Sequence, residues 1–223
     1  QRSKQSVDLG FHLGLESQDY ALSLVGSAIP YEYNAILPSW WAKIFQDFYF
    51  EEGAENRGDF IIQGNTTRKV VDLFFGHVKA EDVSYRGVLV DSGTLIVRGR
   101  GRYTEIDRMD LVNTNGWAKG KIAFSMLDDD RKEPVSIRYN MEGRILPEDA
   151  GKIFGGTVAE VLKDFRISTA PFINIEGAQF GPSYTELQSK SFFKVSTRVD
   201  QPFTFKDTQL DSMKVEIIGN QAA

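Results

Sequence analysis

The phrase Ile36-Leu37-Pro38, followed five residues on by Lys43-Ile44-Phe45, returns as Ile145-Leu146-Pro147 and Lys152-Ile153-Phe154 at one offset, 145 − 36 = 109 and 154 − 45 = 109. Two more pairs of runs follow in the same order. Phe60-Ile61-Ile62-Gln63-Gly64 matches Ile173-Asn174-Ile175-Glu176-Gly177, and Leu95-Ile96-Val97-Arg98-Gly99 matches Val215-Glu216-Ile217-Ile218-Gly219. A segment that recurs in this way is one supersecondary unit that buries its apolar face by stacking on its neighbours, which favours an elongated scaffold or groove over a compact enzyme. Two units are expected, residues 1–110 and 111–223, each a β-meander with a helix. The chain is read as a piece of something longer.

Within each unit the dominant rhythm is alternation at every second residue. Val7, Leu9, Phe11, Leu13 and Leu15 are interleaved with Asp8, Gly10, His12, Gly14 and Glu16, the pattern of a half-buried strand. The same rhythm returns at Val71, Leu73 and Phe75, at Leu95 and Val97, at Ile122, Phe124 and Met126, and at Val135, Ile137, Tyr139 and Met141. Turn chemistry at Asp91-Ser92-Gly93, at Asn113-Thr114-Asn115-Gly116 and at Asp128 to Pro134 predicts antiparallel hairpins between these runs.

Two segments depart from the alternation, both at a Leu-Pro. Trp41, Ile44, Phe45 and Phe48 fall at i, i+3, i+4 and i+7, with Pro38 in the first turn, where its missing N–H costs nothing. Phe154, Val158, Val161, Leu162 and Phe165 keep helical spacing, but Gly155 and Gly156 inside that stretch each cost about 1 kcal/mol relative to alanine, so a kink is expected there. The fold class is therefore mainly β (α+β): a long antiparallel meander curled into a groove, interrupted by two short amphipathic helices.

Composition closes off several functions. A formal net charge of −5 with pI about 5.2 gives no field for nucleic acid. With no cysteine there is neither disulfide, thiol nucleophile nor Cys-ligated zinc. No apolar run reaches the roughly 18 residues of a membrane-spanning helix. His12 and His77 stand in strand-like alternation with no nucleophile signature beside them and are read as ordinary strand positions. Asp128-Asp129-Asp130 lacks the spacing of a calcium loop and reads as a solvated hairpin tip. Gly99 and Gly101 are separated by arginine and do not join a strand to a helix, so no phosphate loop is present. No cofactor or metal is expected, and the chain is read as not an enzyme.

Candidate binding residues remain. Val71, Leu73, Phe75, Leu95, Val97, Ile122, Phe124, Met126, Ile137 and Tyr139 are expected to line one continuous apolar surface. Two short helices are too little to cover so many strands, so part of that surface is left for another occupant, and an acyl chain gains about 0.8 kcal/mol per buried methylene. Arg98, Arg100 and Arg102 would project from one face of an extended chain, where they could meet lipid headgroups or simply protect a sheet edge. Trp40-Trp41 could anchor at an interface or cap a core.

The succession from Gly143 through Ile145-Leu146-Pro147-Glu148-Asp149-Ala150-Gly151-Lys152-Ile153-Phe154, then a helix, then Pro171-Phe172-Ile173-Asn174-Ile175-Glu176-Gly177, resembles the repeats of AsmA-like envelope proteins of Gram-negative bacteria. The alternation from Val71 to Phe124 resembles them too. The resemblance implies a periplasmic protein of the cell envelope, held in the inner membrane by a segment outside this chain, whose groove conducts phospholipid between membranes or maintains the outer membrane. Its partners would be phospholipid acyl chains, and it carries no catalytic residue. Three alternatives stay open from the residues: a β-rich structural or adhesion module with a closed core, a glycan hydrolase using two acidic residues, and a membrane barrel, which the interrupting helices disfavour.

Overall fold

The computed structural model describes residues 6–27, 32, 46–51, 54, 56–68, 70–101, 103–125, 136–181, 185–188 and 190–220. The protein is mainly β, as the alternation predicts, and is built on one large antiparallel sheet that does not close. In chain order its strands begin with β1 (Val7–Leu13), β2 (Asp19–Gly26), β3 (Phe48–Phe50), β4 (Arg57–Asn65) and β5 (Val70–Tyr85). They continue with β6 (Val88–Arg100), β7 (Tyr103–Asn113), β8 (Gly116–Ser125) and β9 (Ser136–Arg144). After the helices α1 (Pro147–Phe154) and α2 (Gly156–Leu162) come β10 (Phe165–Arg166), β11 (Phe172–Phe180), helix α3 (Thr185–Gln188), β12 (Phe192–Val199), β13 (Phe203–Phe205), β14 (Thr208–Leu210) and β15 (Met213–Asn220). The spatial order is β1-β2-β4-β5-β6-β7-β8-β9-β11-β12-β15, with β3 pairing the end of β5, while β10, β13 and β14 form a small second sheet.

The repeated sequence runs occupy a regular place in this order. Phe60 to Gly64 lie in β4 and their match in β11; Leu95 to Gly99 lie in β6 and their match in β15. In both cases the later strand stands six places further along the sheet. The Leu-Pro connections keep the same spacing: one joins antiparallel neighbours β2 and β4, the other joins β9 and β11, again six places on. One sheet runs across the expected boundary at residues 110 and 111, which falls inside β7.

Local chemistry explains the punctuation. Arg86 and Gly87 turn β5 into β6 with φ of 49° and 78°, the positive values a two-residue hairpin needs to match the right-handed strand twist. Arg86 also donates to the Ile153 carbonyl at 2.7 Å and pairs with Asp47 at 2.8 Å, tying this turn to the end of α1. Pro147 opens α1, Glu148 and Asp149 sit in its first turn and favour the helix dipole, and Lys152 bridges both. The expected kink is a full break: Gly155 and Gly156 take φ of 62° and 47°, which ends α1 and starts α2.

Several expectations are corrected. Phe165 belongs to β10, not to a helix; there it stacks on Phe203 and packs at a tilt against Phe205. Phe48 stands in β3 against Tyr85, ring centroids 4.7 Å apart; the rest of the helix expected from Pro38, with Trp40 and Trp41, lies outside the described residues. Asp91-Ser92-Gly93 is not a turn but the middle of β6, where Leu111 from β7 lies over the bare Gly93. Asn113 to Gly116 does turn β7 into β8, with the Asn115 amide donating to the Asn113 side chain at 3.0 Å. The acidic tip at Asp128 lies outside the described residues.

The tightest packing is at β2, β4 and β5, where Leu22, Leu24, Phe60, Ile62 and Phe74 form a buried cluster with Phe60 and Phe74 stacked at 5.9 Å. Leu24→Ala is expected to lower unfolding free energy by about 2–5 kcal/mol in urea titration, whereas Ile217→Ala on exposed β15 should leave it within about 0.5 kcal/mol.

Candidate functional site

Residues paired directly across an antiparallel ladder point to the same side, so the registers assign every strand residue to one of two faces. From β1 to β15 one face is apolar almost without interruption. It carries Leu9 and Phe11, then Leu22 and Leu24, Phe60 and Ile62, Phe74 and Val78, Leu95 and Val97, Ile106 and Met109, Ile122 and Phe124, Tyr139 and Met141, Ile175, Val195 and Ile217. The opposite face carries most of the charge. There Asp107 pairs with Arg98 at 2.9 Å and Lys121 at 3.2 Å, and Lys194 pairs with Glu216 at 3.3 Å.

Of the expected lining residues, Val71, Leu95, Val97, Ile122, Phe124, Ile137 and Tyr139 share the apolar face. Leu73 and Phe75 do not. The β4–β5 register shifts between Gln63 and Gly64, so that Asp72 is an extra residue on β5 and the alternation changes phase. Val71 stays on the apolar side, but beyond the bulge the in-phase residues are Phe74, Gly76 and Val78, and Leu73 and Phe75 face the other way. Met126 lies outside the described residues. Arg98 and Arg100 project from the charged face, opposite the apolar one, and Arg102 lies outside the described residues.

The residues that alternation alone misses are glycines. Gly58, Gly64, Gly76, Gly93, Gly99, Gly120, Gly143, Gly177 and Gly219 all fall on the apolar face, each in the phase where an apolar residue would stand. Large side chains lie across several of them. A Cβ on Gly76 would come within 2.8 Å of the Phe60 ring, one on Gly177 within 2.5 Å of the Tyr139 hydroxyl, and one on Gly219 within 2.1 Å of the Phe193 ring. Rings laid flat on bare backbone give a low, smooth apolar floor, and missing side chains on one face let a sheet bend towards it.

This floor is sealed only in part. At β2, β4 and β5 it is buried, but from β6 onwards Leu95, Val97, Ile106, Met109, Ile122, Phe124, Tyr139 and Ile175 are only half-buried, and Ile217 on the edge strand is 51% exposed. Burial nevertheless pushes the phenols of Tyr20 and Tyr139 above their ordinary value of 10.0. The polar rim is set at the β5–β8 end, where Asp91 and Asn113 occupy apolar-face positions and the Asp91 carboxylate accepts from Thr114 at 3.0 Å. His12 and His77 lie on the charged face of β1 and β5. Among the described residues no three His, Asp or Glu side chains converge, and no helix is long and apolar enough to cross a membrane. An extended apolar band of this kind can hold an elongated apolar ligand by area without any directional contact.

No family model, no curated protein and no solved structure matches the chain.

Two measurements check this arrangement. Gly76→Ala should destabilise the fold by about 1–3 kcal/mol, because its new methyl displaces the Phe60 ring, whereas Gly87→Ala, where a methyl meets nothing, should show only the smaller cost of its positive φ. Tyr139 should ionise above pH 10.0 by ultraviolet titration. Since its folded value is raised, the stability present below the ordinary phenol range is lost as pH climbs through the raised value, and Tyr139→Phe should flatten that loss.

Proposed function

We propose that this chain is a non-catalytic segment of a β-groove protein of the bacterial cell envelope, whose apolar face carries the acyl chains of phospholipids in transfer between membranes or in maintenance of the outer membrane. The observation behind the reading is the incompletely buried apolar face running across β6 to β12, backed by a charged face that keeps the other side in water. Leaving that band bare is costly at roughly 25 cal/mol per Å², and an acyl chain of many methylenes recovers about 0.8 kcal/mol for each one covered. The likeness to AsmA-like repeats around Leu146-Pro147 supports the placement in the periplasm, with the membrane reached through a segment outside this chain.

The Arg98 and Arg100 guanidiniums face away from the band, so they have no part in holding headgroups over it. A structural or interaction module with a closed core is the second reading, favoured by the sealed cluster at β2, β4 and β5.

Lipid extraction and native mass spectrometry of gently purified protein decide between the two. Co-purifying phospholipid is expected, and Phe124→Asp or Leu95→Glu should abolish it, because an unpaired charge in the band costs several kcal/mol against a bound chain. Arg98→Ala should leave binding unchanged. Folded band variants that keep lipid like the parent, or a parent that carries none, would give the face to the closed-core reading.

A further inference from the structure

We propose that the charged face carries a binding site for a phosphate group, in the cavity between the ends of β9 and β12, with Arg144 and Arg198 as the residues that hold it. The site lies on the side of the sheet away from the apolar band, so it stands or falls apart from the lipid reading.

The registers put five side chains in one row across that face: Trp117 on β8, Arg144 on β9, Phe172 on β11, Arg198 on β12 and Lys214 on β15. Three are cations, two are aromatic and none is a carboxylate. Elsewhere on the face cations are matched: Asp107 holds Arg98 and Lys121, Asp110 holds Arg108, and Glu216 holds Lys194. Here only Asp200, just past the end of β12, answers the charge, and it does so through Nε of Arg198. Among the described residues neither Arg144 nor Lys214 has a carboxylate partner.

Arg144 is also held in place. Its Nη1 donates to the Ala170 carbonyl at 3.1 Å, which fixes one corner of the guanidinium without neutralising it. On the strands to either side, Trp117 and Phe172 bring their rings to 6.4 Å of each other across β9, on the side from which the Arg144 stem rises. A guanidinium fixed in this way loses little freedom when an anion arrives.

The cavity in front of it has a volume of about 110 Å³, and Arg144, Thr169, Arg198, Asp200 and Gln201 contribute its polar lining. Its floor is firm, since Ala170 and Val199 are 1% and 3% exposed, and the Gln201 amide reaches the Thr169 carbonyl at 3.5 Å along one wall. The donors select the ligand. A carboxylate has two oxygens and is satisfied by one guanidinium fork, whereas two forks and the Thr169 hydroxyl around one cavity suit a group with three terminal oxygens. A phosphate or phosphomonoester supplies those oxygens, and its charge offsets the cations that Asp200 leaves unmatched.

The test has two arms on the intact protein. One titrates inorganic phosphate by calorimetry against chloride of equal ionic strength; the other sediments the protein with phosphatidylcholine vesicles made with and without phosphatidic acid. Saturable binding is expected. Phosphate binding alone gives the site to a soluble phosphate, vesicle binding alone gives it to a lipid headgroup, and both together give it to the group they share. Arg144→Gln and Arg198→Gln should each weaken binding by about ten- to a hundredfold, and Arg144→Lys, which keeps the charge but loses the fork, should recover only part of that. Arg98→Gln, on the same face but held by Asp107, should change nothing. Both site arginines are exposed, and circular dichroism checks that the sheet is intact in each variant. No binding in either arm above the chloride background would overturn the proposal. So would binding that survives either glutamine substitution, or that Arg98→Gln weakens equally, as diffuse attraction to the whole face would require.

Discussion

The fold depends on keeping one face in phase across eleven paired strands. Because side chains alternate with a period of two, a slip of a single residue in any strand would send its apolar set into water and its charges onto the apolar side. What holds the phase is the contact between large side chains and bare backbone. Phe60 spans Gly58 and Gly76, Tyr139 covers Gly177, and Phe193 covers Gly219, so each ring fits only where the neighbouring strand offers a glycine. Shifting a strand by one residue would set the ring against a side chain. The glycines that weaken strands by propensity therefore specify register here, and they do so on the face where a sheet must be thin if it is to bend.

Much of this architecture is legible in the sequence. The two-residue rhythm gives the strands, and Asn113 to Gly116 gives a hairpin. What is not legible is where the rhythm changes phase. Val71, Leu73 and Phe75 alternate perfectly as written, yet Asp72 is taken up as a bulge, and only pairing with β4 decides that. Periodicity within one strand carries no information about its partner's register. The same limit explains Asp91-Ser92-Gly93, whose composition is that of a turn. In β6 its glycine serves as floor for Leu111, and Asp91 is held by Thr114. Phe165 keeps helical spacing with Phe154, but the glycine pair between them ends one helix and begins another, and the aromatic cluster with Phe203 and Phe205 claims it for a strand.

The candidate site shows the same division. Seven of the expected lining residues share a face because they lie in strands of unbroken phase or, with Val71, on the near side of the bulge. Arg98, Arg100 and Arg102 stand out in the sequence by charge and spacing, but the pairing puts Arg98 beside Asp107 on the charged side, where exposed ion pairs add little stability but keep that surface wet. A signal for the floor was present in the sequence, since its glycines stand in register with the apolar residues, but a glycine reads equally well as a turn.

The six-place shift between matching strands is an even number, and this has a geometric consequence. In an antiparallel sheet an even shift returns a strand to the same direction, and the Leu-Pro connections then leave from the same end each time. A sheet of this kind can therefore gain or lose whole units while its water-facing and apolar sides stay where they are. An odd change would reverse every later strand and move its connections to the opposite end. Length in such a protein changes without disturbing either face only in even numbers of strands, and the step between the matching strands here is six strand spacings, roughly 29 Å at 4.8 Å per strand.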